Sequence, residues 1–300
     1  NAASKGRIGM LSAATFGTFL PAFAILPANG PNMILAGMAE NIYDQQLAYW
    51  DYLLLHFPVL GIVKAGLLVV MILWMFPDRD PLRTAEVRAE SVLMGREAWH
   101  MVALLVTCLV LWLTDGFHQI SPGWIGLAAA LYCLWPLTRL TGKDCLNEDI
   151  KYGPLFFVAG VMGLGAVISA SGLGDVMLQS LSGRSGFDAE EPVRSVVILT
   201  GISTLLAVVT TLASVPSLMT PLAQELAGAT GLTLTSVLMT QVLAFSNVLL
   251  PYQAPPLVMA MQVGKLPVAA GTRLCLALFV GGTVVLVPLD LLWWALLGKL

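Results

Sequence analysis

The stretch Phe23–Gly37 reads FAILPANGPNMILAG and interrupts a long apolar run with two prolines, two glycines and two asparagines. Proline removes a helix hydrogen-bond donor and clashes with the preceding turn, so this stretch predicts a break inside a helix. In hydrocarbon the freed backbone groups are costly, and they are tolerated only where protein or a cavity satisfies them. If the surrounding run crosses a membrane, the break therefore predicts a functional site.

The composition predicts a membrane protein. The chain has 300 residues, of which 57% are hydrophobic and 11% are charged, whereas soluble domains carry roughly 25% charged residues. Its mean hydropathy is +0.83, and several runs approach the ~20 apolar residues that a helical span needs. We expect an all-α polytopic membrane protein that contacts membrane lipid and binds no nucleic acid.

The apolar runs divide the chain into two parts joined by a linker. The first part, residues 1–76, has a broken helix at 8–41, an interfacial segment at 42–57 and a helix at 59–76. The linker covers residues 77–97. The second part, residues 98–300, has helices at 98–114, 122–137, 153–171 and 272–298, a hairpin at 193–227 and a broken helix at 235–263.

The basic residues between the runs predict the orientation. The loops at 77–97 and 138–151 carry Arg and Lys, whereas the loop at 115–121 has neither. Because basic loops face the cytoplasm, the linker at 77–97 and the loop at 138–151 are expected there. We expect a multi-pass protein of the cell inner (plasma) membrane.

The segment 193–227 has two interpretations. It either crosses the membrane once or enters and returns as a re-entrant hairpin. The hairpin places the loop with Lys265 and Arg273 in the cytoplasm, so the charge rule favours it.

The opening break has a counterpart 224 positions later. The heptapeptide LPANGPN at Leu26–Asn32 aligns without gaps with LPYQAPP at Leu250–Pro256. In both copies a carboxamide residue, Asn29 or Gln253, is followed by a tiny residue and a proline. With the hairpin, the two copies cross in opposite directions. Inverted repeats with matching broken helices are typical of secondary transporters, whose substrate site lies near the midplane.

The repeat also predicts ligands and a truncation. A half-helix N-terminus offers amides and a positive dipole end to an anion, and freed carbonyls can coordinate sodium. The first-repeat counterpart of the SVPS break at Ser214–Ser217 would precede residue 1, so we expect the first repeat to be truncated.

Two charged residues, Lys64 and Asp290, also lie in the apolar runs. Lys64 is expected to reach the membrane surface with its long side chain. Asp290 either lies at the interface or has a proton-carrying or pairing role. The sequence has neither an intramembrane acid pair nor a histidine cluster, so we expect no catalytic residue, no metal ligand and no organic cofactor.

Four stretches carry a resemblance to a known family: ILPANGPNMILAG (25–37), FHQISPGWIGLAAAL (117–131), YGPLFFVAGVMGLGAVISASGLGDVM (152–177) and LLPYQAPPLVMAMQVG (249–264). They resemble the divalent anion:sodium symporter family over nearly the whole chain. That family has Gly-Thr-Pro-Pro-Asn-like breaks and a Ser-Asn-Thr motif at each hairpin tip. This chain has Val215 and Pro216 in place of the motif's Asn and Thr, and Gln253 and Ala254 in place of the break's Gly and Thr.

The resemblance implies secondary active transport of a small carboxylate or sulfate-like anion by an elevator-type movement in a homodimer. Sodium or protons would drive it, and sodium is the candidate bound ion. The predicted substrate-binding residues are Asn29, Gly30, Ser214, Ser217, Gln253 and Ala254. The predicted ion-binding residues are Thr210, Thr211, Ser214 and Asn247.

Two other functions stay open at this point. One is a cation/proton or metalloid antiporter of the same superfamily, which a sodium-independent response to pH would favour. The other is an intramembrane enzyme, which would need an acid pair, a metal cluster or an activated nucleophile at membrane depth.

Overall fold

The computed structural model describes residues 4–78, 95–148 and 190–300, together with isolated positions between 148 and 190. Most of the linker 77–97 and most of the predicted span 153–171 lie outside the described residues. The described residues form helices and turns without a β-strand.

The helices are numbered here in chain order. They are α1 Lys5–Phe19, α2 Gly30–Tyr43, α3 Tyr49–Met75, α4 Arg96–Leu113, α5 Asp115–His118, α6 Pro122–Leu134, α7 Cys145–Glu148, α8 Pro192–Val209, α9 Ser214–Thr230, α10 Leu234–Phe245, α11 Pro255–Val263 and α12 Val268–Leu296.

Length and composition confirm the predicted all-α polytopic membrane protein. Among the described residues, α3, α4, α8 and α12 are long and apolar enough to cross a bilayer. Helices α9 and α10 meet at an angle of 118° and form either a broken span or a re-entrant loop. Helix α6 is apolar but shorter.

Helix α3 begins earlier than the helix expected at 59–76. It includes residues 49–57, which the sequence suggested as part of an interfacial segment. Pro58 lies inside it, where a proline usually interrupts the hydrogen-bond ladder. Residues Phe57–Val63 form a π-helical stretch, and this wider turn accommodates the proline so that the helix continues.

The chain forms two compact units. The smaller unit contains residues 48–50 and 80–157. In it α4 packs against α6, and the Trp50 indole donates a hydrogen bond to the Leu113 carbonyl at 2.7 Å. The Asp115 carboxylate accepts a hydrogen bond from the Tyr49 amide.

The larger unit contains residues 1–47, 51–79 and 158–300, and both broken helices lie in it. Helix α1 packs against α11, and α2 packs against α10. Leu11, early in α1, lies beside Gly264, just past the end of α11, where a Cβ would be 3.5 Å from Leu11 Cδ2. The first half of each broken helix therefore pairs with the second half of the other, as inverted copies require.

The repeat continues into the helix that follows each break. Helix α3 has its π-helical stretch at Phe57–Val63, and α12 has one at Gly282–Leu286. The offset of 224 residues that aligns the breaks also aligns these stretches, since Pro58 corresponds to Gly282. The two stretches contact each other. π-Helical turns occur frequently at functional sites, so this crossing is a second candidate site.

Candidate functional site

The first break lies between α1 and α2. Pro21–Ala24 and Leu26–Ala28 each form a 3₁₀ turn, and Ile25 and Asn29 are extended. Asn29 is the N-cap of α2: its Oδ1 accepts a hydrogen bond from the Asn32 amide at 3.0 Å, and its Nδ2 donates to the Ala22 carbonyl at 3.1 Å. Both ends of the Asn29 carboxamide are thus used to shape the break.

Asn32 holds the other side of the same break. It is fully buried, and its Nδ2 donates to the carbonyls of Phe23 and Ile25, each at 3.0 Å. The Tyr52 hydroxyl also donates to the Phe23 carbonyl, at 2.9 Å. Sequence reasoning did not select Asn32, although it is the second asparagine of the opening stretch. These bonds satisfy carbonyls that the broken helix frees.

The second break lies between α10 and α11. Leu250 is extended, and Pro251–Gln253 form a 3₁₀ turn, as Leu26–Ala28 do in the first copy. Gln253 is 1% exposed, and its Oε1 accepts hydrogen bonds from the amides of Leu249 and Leu250 at 2.9 and 2.7 Å. Its Nε2 is buried and has no partner among the described residues. Gln253 therefore has an unused donor in the interior of the larger unit.

The helix that starts after the second break offers fewer amide donors than the sequence suggested. Pro255 and Pro256 occupy the first two positions of α11 and lack an N–H group. The next amide, that of Leu257, donates to the Ala254 carbonyl at 2.9 Å. An anion at this helix start must therefore take its hydrogen bonds mainly from side chains, with the helix dipole as added support.

The tip between α8 and α9 consists of residues 210–213. Thr210 Oγ1 donates to the Leu206 carbonyl at 2.7 Å, and Thr211 Oγ1 lies 2.9 Å from Ser214 Oγ. Ser217 Oγ donates to the Ala213 carbonyl at 3.0 Å. Each hydroxyl oxygen keeps a lone pair for a cation or a hydrogen-bond donor. The tip and the start of α9 therefore offer a group of hydroxyl acceptors.

The tip is joined to the second break and packs near the first. The Leu212 amide donates to the Gln253 carbonyl at 3.0 Å, and the Tyr252 hydroxyl donates to the Val208 carbonyl. The beginning of α9 packs against α2, the helix that Asn29 caps. The Tyr43 hydroxyl, at the end of α2, lies 2.9 Å from the carbonyls of Thr220 and Pro221. The predicted residues of the tip and of the second break are thus brought together.

The remaining predicted residues differ in their surroundings. Gly30 is exposed at the start of α2, with open space where a Cβ would be, and Ala254 is buried. Asn247 lies at the other end of the second break, where its Nδ2 donates to Thr283 Oγ1 at 3.1 Å. It lines a small cavity beside Lys64 and Asp290.

Lys64 and Asp290 form a second buried polar cluster that sequence reasoning did not assemble. Lys64 is 3% exposed and Asp290 is fully buried. The expectation that Lys64 reaches the surface is wrong, because its ammonium group instead donates to the Ser246 carbonyl. A charged residue inside an apolar helix was the available signal, but the sequence did not show that these two helices meet.

One comparison with known proteins identifies a family. No curated protein matches the chain. A family model described as the sodium:sulfate symporter transmembrane region matches residues 3–300 and confirms the resemblance to anion:sodium symporters. The family consists of membrane transporters that move anions together with sodium, not of enzymes. Because the match covers nearly the whole chain, the protein belongs to the sodium:sulfate symporter transmembrane family.

Proposed function

We propose that this protein is a secondary active transporter of small carboxylate or sulfate-like anions and that the anion binds where the hairpin tip meets the two helix breaks. The observation that carries the proposal is the hydrogen bond from the Leu212 amide to the Gln253 carbonyl, at 3.0 Å. It joins two irregular backbone segments inside apolar helices. Irregular backbone at membrane depth is tolerated where it lines a cavity or is buried in protein.

The side chains at this junction suit an oxyanion. Gln253 Nε2 is a buried donor without a partner among the described residues. The hydroxyl of Thr211 lies on the adjoining tip, and those of Ser214 and Ser217 lie at the start of α9. A buried donor that gains an anionic acceptor recovers the desolvation cost of leaving it unpaired. Asn29 and Gly30 would lie beside the anion at the N-terminal end of α2, where the helix dipole favours negative charge. Ala254 would form the small wall beside Gln253.

The tip hydroxyls would also bind the coupling ion. Hydroxyl and carbonyl oxygens are suited to hard cations, and broken-helix transporters coordinate sodium with such groups. Thr210, Thr211 and Ser214 provide these oxygens next to the proposed anion position. Sodium would then reduce the repulsion between the anion and the freed carbonyls.

An elevator-type movement would carry the site across the membrane. Both breaks and the tip belong to the larger unit, so the whole site can move as one body, as this mechanism requires. The proposal includes the re-entrant insertion of α8 and α9, a homodimeric assembly and an inner-membrane location, with the basic loops in the cytoplasm.

Uptake into proteoliposomes tests the proposal. The full-length protein would be reconstituted and supplied with radiolabelled sulfate or succinate under an inward sodium gradient, with choline replacing sodium in a parallel sample. We expect uptake of one of these anions above that of protein-free vesicles, with faster uptake under the sodium gradient. Uptake of both anions at the protein-free level, by protein that is folded and correctly sized in the vesicles, would overturn the proposal.

A further inference from the structure

The second buried cluster begins with Lys64, which follows the π-helical stretch of α3. Lys64 is 3% exposed, and its ammonium group donates to the Ser246 carbonyl. Ser246 is the C-cap of α10, so its carbonyl lies at the end of a half-helix where the dipole is negative. Lys64 thus places a hydrogen-bond donor at the negative end of a half-helix, where a cation would otherwise be attracted.

The first break contributes to the same position. The Lys64 ammonium group lies 5.8 Å from the centroid of the Phe23 ring, within the range of a cation–π interaction. The Phe23 ring lies 5.8 Å from that of Phe245, the last residue of α10. Lys64 therefore contacts segments of both inverted copies.

Asp290 faces this cluster from α12. It is fully buried, and neither carboxylate oxygen has a hydrogen-bond partner among the described residues. Asp290 and Lys64 both line a cavity of about 10 Å³, together with Ser246 and Asn247. This volume is close to what one water-sized sphere needs. A buried carboxylate without donors is costly, so Asp290 requires a proton or a small bound species.

Asn247 and Gly282 shape the cavity wall. The Asn247 Nδ2 donates to Thr283 Oγ1 at 3.1 Å, and its Oδ1 approaches Gly282 so closely that a Cβ there would lie 2.6 Å away. The Asn247 amide is therefore held against α12 and cannot turn both of its polar atoms toward Asp290.

The titratable groups around the cavity are few. Among the described lining residues, only Lys64 and Asp290 titrate. Other titratable groups lie on the elements that pack against them, without lining the cavity: Tyr49, Asp51, Tyr52 and His56 on α3, Lys5 and Arg7 at the start of α1, Tyr252 in the second break, and Arg273 and Cys275 on α12. His56 does not line the cavity, and its Nε2 contacts Met239 Sδ at 3.3 Å.

We propose that Lys64 and Asp290 form an intramembrane proton-binding site in which the Asp290 carboxylate binds a proton beside the Lys64 ammonium group and releases it during each transport cycle. The proton enters from water on one side of the membrane and leaves to water on the other. The site changes from a neutral ammonium–carboxylate state to a singly positive ammonium–carboxylic acid state. No covalent bond is formed or broken apart from the O–H bond of Asp290.

This site would couple to the anion through the second break. The break runs from Ser246, which accepts the Lys64 hydrogen bond, to Gln253, whose carbonyl accepts the bond from the hairpin tip. A gain of positive charge at one end of this segment favours an anion at the other. The coupling rests on the proposed transport function, whereas proton binding by Asp290 can be measured without any transport.

Infrared difference spectroscopy of the full-length protein in lipid vesicles tests the proposal. The carbonyl stretch of a protonated carboxyl would be followed as the buffer changes from alkaline to acidic. We expect a band that is absent in Asp290→Asn and present in Asp44→Asn. Asp44 is an exposed acid after α2 with positive φ, which asparagine tolerates. We also expect Lys64→Met to move the titration midpoint of the band by about one pH unit or more.

A wild-type carboxyl band that survives in Asp290→Asn and titrates unchanged in Lys64→Met would overturn the proposal. If Asp290→Asn does not fold, Asp290→Glu decides, because a changed band frequency supports the assignment and an unchanged one contradicts it. If wild-type vesicles accumulate neither sulfate nor succinate while the Asp290 band behaves as expected, the proposed function fails and the proton site stands. If uptake occurs and the band does not depend on Asp290, the proton site fails alone.

Discussion

The backbone amide of Leu212 donates to the carbonyl of Gln253 at 3.0 Å, which ties the tip between α8 and α9 to the turn that opens α11. The bond joins two main-chain groups, so it depends on the path of the backbone and tolerates changes of side chain. It also leaves the Gln253 side chain free for other contacts, since the carboxamide bonds only the Leu249 and Leu250 amides through its oxygen. The tip and the second break are therefore expected to move together.

The first prediction concerns the N-cap of α2. Asn29→Ala removes the acceptor for the Asn32 amide, and the loss of an N-cap costs about 1 kcal/mol. Asn29→Ser keeps a capping oxygen and loses only the bond to the Ala22 carbonyl. We expect the thermal unfolding midpoint, measured by tryptophan fluorescence in detergent, to fall further for Asn29→Ala than for Asn29→Ser. Equal midpoints for the two variants would show that the cap does not stabilise the break.

The second prediction concerns the close approach of Asn247 to α12. In Gly282→Ala the added Cβ would lie 2.6 Å from Asn247 Oδ1, and moving that amide breaks its bond to Thr283. Overpacking of this kind costs about 1–3 kcal/mol. The control is Gly66→Ala, at an exposed position in α3 with open space for the Cβ, where alanine stabilises a helix by about 0.5–1 kcal/mol. Chemical denaturation should rank Gly282→Ala below wild type and Gly66→Ala at or above it; the reverse order would contradict the observed packing.

The third prediction concerns the broken helices, in which the first half of each pairs with the second half of the other. In a background without Cys108, Cys133, Cys145 and Cys275, the pair Leu11→Cys and Gly264→Cys should form an oxidative cross-link, because these positions are adjacent. The control pair is Leu11→Cys with Leu234→Cys, at the start of α10, which would be adjacent only if the two copies ran in the same direction. Linked peptides would be identified by mass spectrometry. Cross-linking of the control pair alone would contradict the inverted arrangement.

The breaks themselves could be predicted from sequence because their cause is local. Proline lacks an amide hydrogen and restricts the preceding residue, so Pro27 and Pro251 mark the two turns directly. The gapless offset aligned the two breaks, and the structure shows a 3₁₀ turn in each of them. The all-α membrane architecture could be predicted from composition. Like the breaks, it depends on properties of single segments.

The use of each polar group could not be predicted, because it depends on which segments meet. Asn29 is turned toward the backbone of its own break, whereas Gln253 keeps a free donor, although the two occupy equivalent positions. Lys64 was expected near a helix end. Helix α3 starts earlier, at Tyr49, and so places Lys64 inside the unit. Its proximity to Asp290 is a tertiary contact between residues far apart in the chain.

Gln253→Glu tests whether the anion binds at the junction of the tip and the second break. The glutamate keeps an oxygen for the Leu249 and Leu250 amides, removes the free amide donor and adds a negative charge next to the proposed anion. The matched control is Gln262→Glu, the same substitution at an exposed position of α11. Both variants would be compared with wild type for labelled sulfate and succinate uptake into proteoliposomes.

A hydrogen bond to a charged group is worth about 1.5–3 kcal/mol, and about 1.4 kcal/mol corresponds to a tenfold change in affinity. We therefore expect the uptake rate at low anion concentration to fall at least about tenfold in Gln253→Glu and to stay within about twofold of wild type in Gln262→Glu. Equal uptake by folded Gln253→Glu and wild-type protein would contradict the account.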